Sequence, residues 1–133
     1  MKKILIPVDG TERSEKSANV IKKFYSGEDA EIYVILVRED YDEIRSAYEM
    51  EERKGETMLW LDKIEILLNG YIVHKEVLFG RAGEEILNYA KENKIDVIVM
   101  TKSTKTGWAR IIGSVTSHVI KYAKCAVMIT PEN

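Results

Sequence analysis

The chain has 133 residues, 45% hydrophobic and 32% charged, with a formal net charge of −2. That is the size of one domain, residues 1–133, able to bury a core without staples and too apolar for general disorder. The balanced charge lacks the basic excess expected of a nucleic-acid-binding protein, and a single cysteine, Cys125, excludes an internal disulfide and fits a reducing cytoplasm.

The first apolar run, residues 4–8, ends at Asp9 and is too short for a signal-peptide core or a membrane span. No later run exceeds about six residues, so no membrane contact is expected. Runs at 4–8, 32–37, 97–100 and 126–129 are nearly continuous and rich in β-branched residues, the pattern of strands covered on both faces. The run at 71–78 interleaves His74, Lys75 and Glu76 and reads as an edge strand, with His74 facing solvent.

Helical spacing falls between the runs. Residues 12–25 carry Ala18, Ile21, Phe24 and Tyr25 on one face; residues 82–93 carry Ile86, Leu87 and Ala90; residues 114–123 carry Val115, Val119, Ile120 and Ala123. The 39–68 stretch is acidic in its first half and apolar in its second. It predicts a loosely packed, solvated loop or helix start leading into a well-packed helix with Trp60 in the core. The order β-α-β-α-β-α-β-α-β implies right-handed crossovers and a parallel sheet with helices on both faces, a three-layer α/β/α domain.

Ligands of such sheets sit outside the strand carboxyl ends, where strand order reverses. After the first strand, Asp9 meets Gly10, Thr11 and Ser14. Its carboxylate either caps the first helix or holds a ligand hydroxyl or a divalent metal. After the fourth strand come Thr101, Lys102, Ser103, Thr104, Lys105, Thr106, Gly107 and Trp108, then Arg110, with Gly113 and Ser114 expected to open the last helix. A helix N-terminus with basic and hydroxyl side chains around it suits phosphate, although no Walker A spacing occurs anywhere. Trp108 is expected to clamp this loop, Cys125 to lie in the core, and His118 to be structural. No nucleophile elbow is present, which argues against a hydrolase triad. A receiver domain would need an acidic pair where Gly10 stands and an aspartate where Phe79 and Gly80 stand. A flavodoxin loop would not carry Glu12.

Three segments together resemble the universal stress protein family: ILIPVDGTERS (residues 4–14), EILNYAKENKIDVIVM (85–100) and GSVTSHVIKYAKCAVMIT (113–130). The resemblance covers the chain except the acidic stretch near 39–57. It implies strand order 3-2-1-4-5, as in adenine nucleotide alpha hydrolase-like folds, and a homodimer paired through its last strands. It also implies ATP with Mg²⁺ on a G-x-x-G motif followed by G-[ST]. Carried over by position, the nucleotide-binding residues are Pro7, Val8, Asp9, Val37, Thr101, Thr104, Lys105, Gly113, Ser114 and Val115, with Asp9 the metal ligand. Thr101 and Thr104 stand where the family has glycines, and the interval to Gly113 is one residue short. Two readings follow. One is a dimeric stress protein that binds ATP and at most hydrolyses it slowly. The other is a nucleotide-free dimer acting only through contacts with a protein partner.

Overall fold

Parallel strands and helices alternate along the chain: β1 (Lys2–Val8), α1 (Ser14–Phe24), β2 (Ala30–Arg38), α2 (Ala47–Leu67), β3 (Ile72–Phe79), α3 (Ala82–Glu92), β4 (Val97–Thr101), α4 (Trp108–Tyr122) and β5 (Ala126–Thr130). The structure, a computed structural model, describes residues 1–101 and 108–131, the side chains of 108–112 excepted. The sheet order is β3-β2-β1-β4-β5, as the resemblance implied. Register places Ile4 of central β1 beside both Ile32 of β2 and Val97 of β4. β3 is an edge strand, as its interleaved polar residues foretold.

Side chains alternate across each strand, so one buried sheet makes two cores. Ile4, Ile6, Ile32 and Val34 pack with Ile21 of α1 and with Leu61 and Ile64 of α2. Leu5, Ile35 and Ile98 pack with Ile86 of α3 and Val119 of α4. Each fully buried aliphatic contributes about 1.5–3 kcal/mol over its exposed state, and Ile4, Leu5, Ile6, Ile21 and Leu61 are all at 0% exposure.

The acidic stretch departs from expectation. After a single 3-10 turn at Tyr41–Glu43, α2 begins at Ala47 and runs unbroken for 21 residues. Its start is capped in a variant of the capping box: the N-cap Ser46 hydroxyl accepts from the Glu49 N–H at 3.0 Å, and the Glu49 carboxylate accepts from the N–H of Arg45, the residue before the cap, at 2.8 Å. The acids there are also partnered. Asp40 accepts two hydrogen bonds from Arg38, at 3.0 and 2.6 Å, and one from Arg53, while Arg38 donates to the Thr57 hydroxyl at 3.0 Å. The Arg38 contact is the largest reason that the Asp40 carboxyl titrates below its ordinary value.

Trp60 is a second correction. It is 36% exposed rather than in the core, with the Lys63 ammonium 4.4 Å from the centre of its ring. Leu61, one residue on, takes the core position instead. The last helix is a third. Gly113 and Ser114 lie inside α4, which extends back to Trp108. Ala109 and Arg110 are strong helix formers, and one glycine costs a helix only about 1 kcal/mol. His118 is structural, as expected: a Cβ added to Gly83 of α3 would meet its ring at 2.7 Å. His74 is half-exposed but not merely solvated. It hydrogen-bonds Glu31 at 2.6 Å and stacks on Tyr33 at 4.6 Å.

Candidate functional site at the strand carboxyl ends

A cavity of about 260 Å³ opens at the carboxyl ends of β1, β2 and β4, between the starts of α1 and α3 and the body of α4. This is where strand order reverses, and its volume lies just below the usual range of small-molecule pockets, about 300–1,000 Å³. Six of the residues expected from sequence line it: Pro7, Val8, Asp9, Val37, Thr101 and Val115. Gly113 and Ser114 are exposed and not among its lining residues, although Val115 and Thr116 next along α4 are, and Thr104 and Lys105 lie outside the described residues. Trp108's side chain is likewise outside them.

The β1 end turns sharply. Gly10 adopts φ +77°, a backbone state that costs glycine little, and this aims the chain into α1. Asp9 organises the turn. Its Oδ1 accepts from the Thr11 N–H at 3.0 Å, the Thr11 hydroxyl at 2.6 Å and the Ser14 hydroxyl at 3.2 Å. Its Oδ2 accepts from the Arg13 guanidinium, whose side chain is only 11% exposed. Burial pushes the Asp9 carboxyl up, but these bonds and the Arg13 charge outweigh it and hold the group below its ordinary value. Asp9 thus holds the turn before α1 and lines the cavity, but it does not cap the helix as the sequence allowed: the N-cap position is Arg13, and among the described residues no side chain caps the start of α1.

The donor set around Asp9 is a poor fit to a resident metal. Its oxygens already face protein donors, and a cation would have to displace Arg13. Among the described residues no group of three or more His, Cys, Asp or Glu is arranged to hold a metal ion.

Thr101 behaves differently from what its place in a glycine motif suggests. Val97, Val99 and Thr101 alternate onto the α1 side of β4, while Ile98 and Met100 face α3 and α4. Its hydroxyl meets the hydroxyl of Ser17, a residue 1% exposed, at 2.7 Å. The Thr101 side chain thus has a place on α1.

Sequence reading missed several lining residues, Arg13, Ser17, Glu39 and Thr116 among them. Glu39 reaches from the end of β2 to accept from the Ala82 N–H, the first of α3, at 3.2 Å, which suits the partial positive charge of a helix start. Period-two alternation beyond Val37 was the available signal for it; nothing in the sequence indicated its partner. A second cavity, about 350 Å³, lies at the opposite end of the sheet, where α3 and α4 finish, and Cys125 lines it. Cys125 is half-buried against the α3–α4 core, and burial raises its thiol pKa. Among the described residues no helix is long and apolar enough to cross a membrane.

The family model described as Universal stress protein family matches residues 1–131. Universal stress protein MJ0531 of Methanocaldococcus jannaschii is 36% identical over 141 residues, covering 96% of this chain and 81% of that protein. The solved structure of hypothetical protein MJ0577 is 30% identical, with a TM-score of 0.76 over 98% of this chain and 95% of that one. A universal stress protein solved in complex with cAMP has the same fold at 15% identity, with a TM-score of 0.76 over 99% of this chain and 98% of that one.

Proposed function

Because this chain belongs to the universal stress protein family, we propose that it binds an adenine nucleotide in the cavity at the carboxyl ends of β1, β2 and β4. One observation carries the reading: Pro7, Val8, Asp9, Val37, Thr101 and Val115, distant in sequence, line one cavity at the reversal of strand order. A fold neighbour solved with cAMP adds support for the ligand class. In this reading the base lies against Val8 and Val37, the sugar hydroxyls meet Asp9, and the phosphates extend toward the segment between Thr101 and Val115. ATP is the fuller form of the ligand, and its Mg²⁺ would be held chiefly by the phosphates, since Asp9 is engaged by Arg13. The protein is further proposed to be cytoplasmic and to dimerise through β5, whose outer edge faces no other strand among the described residues. An unpaired strand edge of Ala126, Val127, Met128 and Ile129 invites such pairing.

A nucleotide-free dimer acting through protein contacts has one observation in its favour. Asp9 and Thr101 already have protein partners in Arg13 and Ser17. Calorimetric titration with AMP and with ATP, with and without Mg²⁺, separates the two readings. Saturable binding is expected, and a flat response at millimolar nucleotide overturns the nucleotide reading. Light scattering behind a sizing column tests the dimer, and a monomeric mass overturns it.

A further inference from the structure

Helix α2 has two opposite apolar faces, and the fold uses only one. Leu61 and Ile64 are 0% and 3% exposed, and Thr57 beside them is 5% exposed. On the other side Tyr48, Leu59 and Ile66 are 79%, 64% and 74% exposed. Steps of 11 and 7 residues separate these three, and Gly55 falls 7 after Tyr48 and 4 before Leu59. At 3.6 residues per turn all four positions lie within a narrow stripe about 27 Å long. Among the described residues a Cβ added at Gly55 would meet nothing within 4 Å, so neither packing against them nor a left-handed φ requires glycine there. Mid-helix glycine is less favourable than alanine, so its presence there is not explained by the helix itself. Three large apolar groups aligned on a helix and left exposed by every described element are the signature of a missing partner.

The flanks indicate the partner's chemistry. Glu51, Glu52 and Glu56 are exposed beside the stripe. Glu51 pairs with Lys54 at 3.6 Å, and among the described residues Glu52 and Glu56 form no ion pair. Lys63 is engaged over the Trp60 ring. A second copy of α2 would bring a second acid-rich stripe against the first, and an anionic membrane would be repelled by the same charges. A helix fits the geometry, because a ridge of its side chains can enter the groove left open at Gly55.

We propose that the Tyr48–Gly55–Leu59–Ile66 stripe of α2 is a docking face for a basic amphipathic helix of a partner protein. Apolar side chains of that helix pack on Tyr48, Leu59 and Ile66, and its lysines or arginines meet Glu52 and Glu56. The face is remote in function from the nucleotide cavity, and the proposal does not depend on nucleotide binding.

The test uses a labelled 20-residue peptide with leucines at helical three- and four-residue spacing and lysine and arginine flanks, together with its glutamate-flanked counterpart. Fluorescence anisotropy is followed against the full chain. The basic peptide is expected to bind at least tenfold more tightly than the acidic one, and more weakly as salt rises. Leu59→Asp with Ile66→Asp, both solvent-facing and expected to leave the melting temperature unchanged, should weaken it at least tenfold. Glu52→Lys with Glu56→Lys should abolish the preference for the basic peptide. No saturable binding of the basic peptide, or equal binding by the Leu59→Asp, Ile66→Asp variant, overturns the proposal. Sedimentation showing self-association that this same variant abolishes would assign the stripe to a second copy and overturn it as well.

Discussion

Replacing Asp9 by alanine removes the acceptor for four donors at once, and the cost follows from where each donor is left. The Thr11 N–H and hydroxyl are exposed and pass to water, so each costs little. The Ser14 hydroxyl belongs to a residue 7% exposed and keeps only its contact with the residue 9 N–H, at 3.3 Å. The Arg13 guanidinium, 11% exposed, loses a charged partner. Charge-assisted bonds are worth about 1.5–3 kcal/mol and neutral ones about 0.5–1.5, and the one-third exposure of the Asp9 side chain places the sum at the low end. Asp9→Ala should therefore destabilise the fold by about 2 kcal/mol, or roughly 6–10 °C in melting temperature for a domain of this size. The loss should depend on pH. Because the folded pKa lies below the ordinary 3.8, the carboxylate's contribution is present above that value and vanishes as pH falls through the lowered folded value. Urea denaturation from pH 7 down to pH 2.5 should show wild type and variant converging in acid. A neutral-pH difference under 0.5 kcal/mol, or one unchanged in acid, would refute the assignment of Asp9 as the organiser of the β1–α1 turn.

Two further pairs of variants probe the same construction. Ser17→Ala should cost about 1–2 kcal/mol by orphaning the Thr101 hydroxyl, whereas Ser17→Ala with Thr101→Val should cost less than the sum of the single changes in a double-mutant cycle by urea unfolding. Gly27→Ala should destabilise by about 1–3 kcal/mol, since the new methyl would press on the Gly70 carbonyl oxygen. Gly55→Ala, in open space within α2, should stabilise by up to about 1 kcal/mol, read from the same denaturation midpoints.

Much of the molecule was legible before any coordinates because burial on both sheet faces leaves a local trace. Continuous β-branched runs mark β1, β2, β4 and β5, and the polar interleaving of 72–79 marks an edge. Strand order came through the family resemblance, since pairing between distant strands leaves no periodicity in any one of them. The Ser46 and Glu49 spacing was a readable capping signal for α2, yet the acidic composition of residues 39–57 pointed to a loose segment. That composition hid the fact that Arg38 and Arg53 reach back to Asp40 from two different elements.

At the site, the sequence by itself placed Pro7, Val8, Asp9, Val37 and Thr101 at strand ends, because a strand's exit follows from where its apolar run stops. Tertiary structure alone decided what those side chains touch. Thr101 turns onto Ser17, 84 residues away in sequence, Asp9 is shared between a turn and a cavity, and α2 buries Leu61 while leaving Leu59 and Ile66 bare. Periodicity records which positions can share a face. It does not record whether a neighbouring element covers that face, and on α2 that difference separates the core from the stripe left open to a partner.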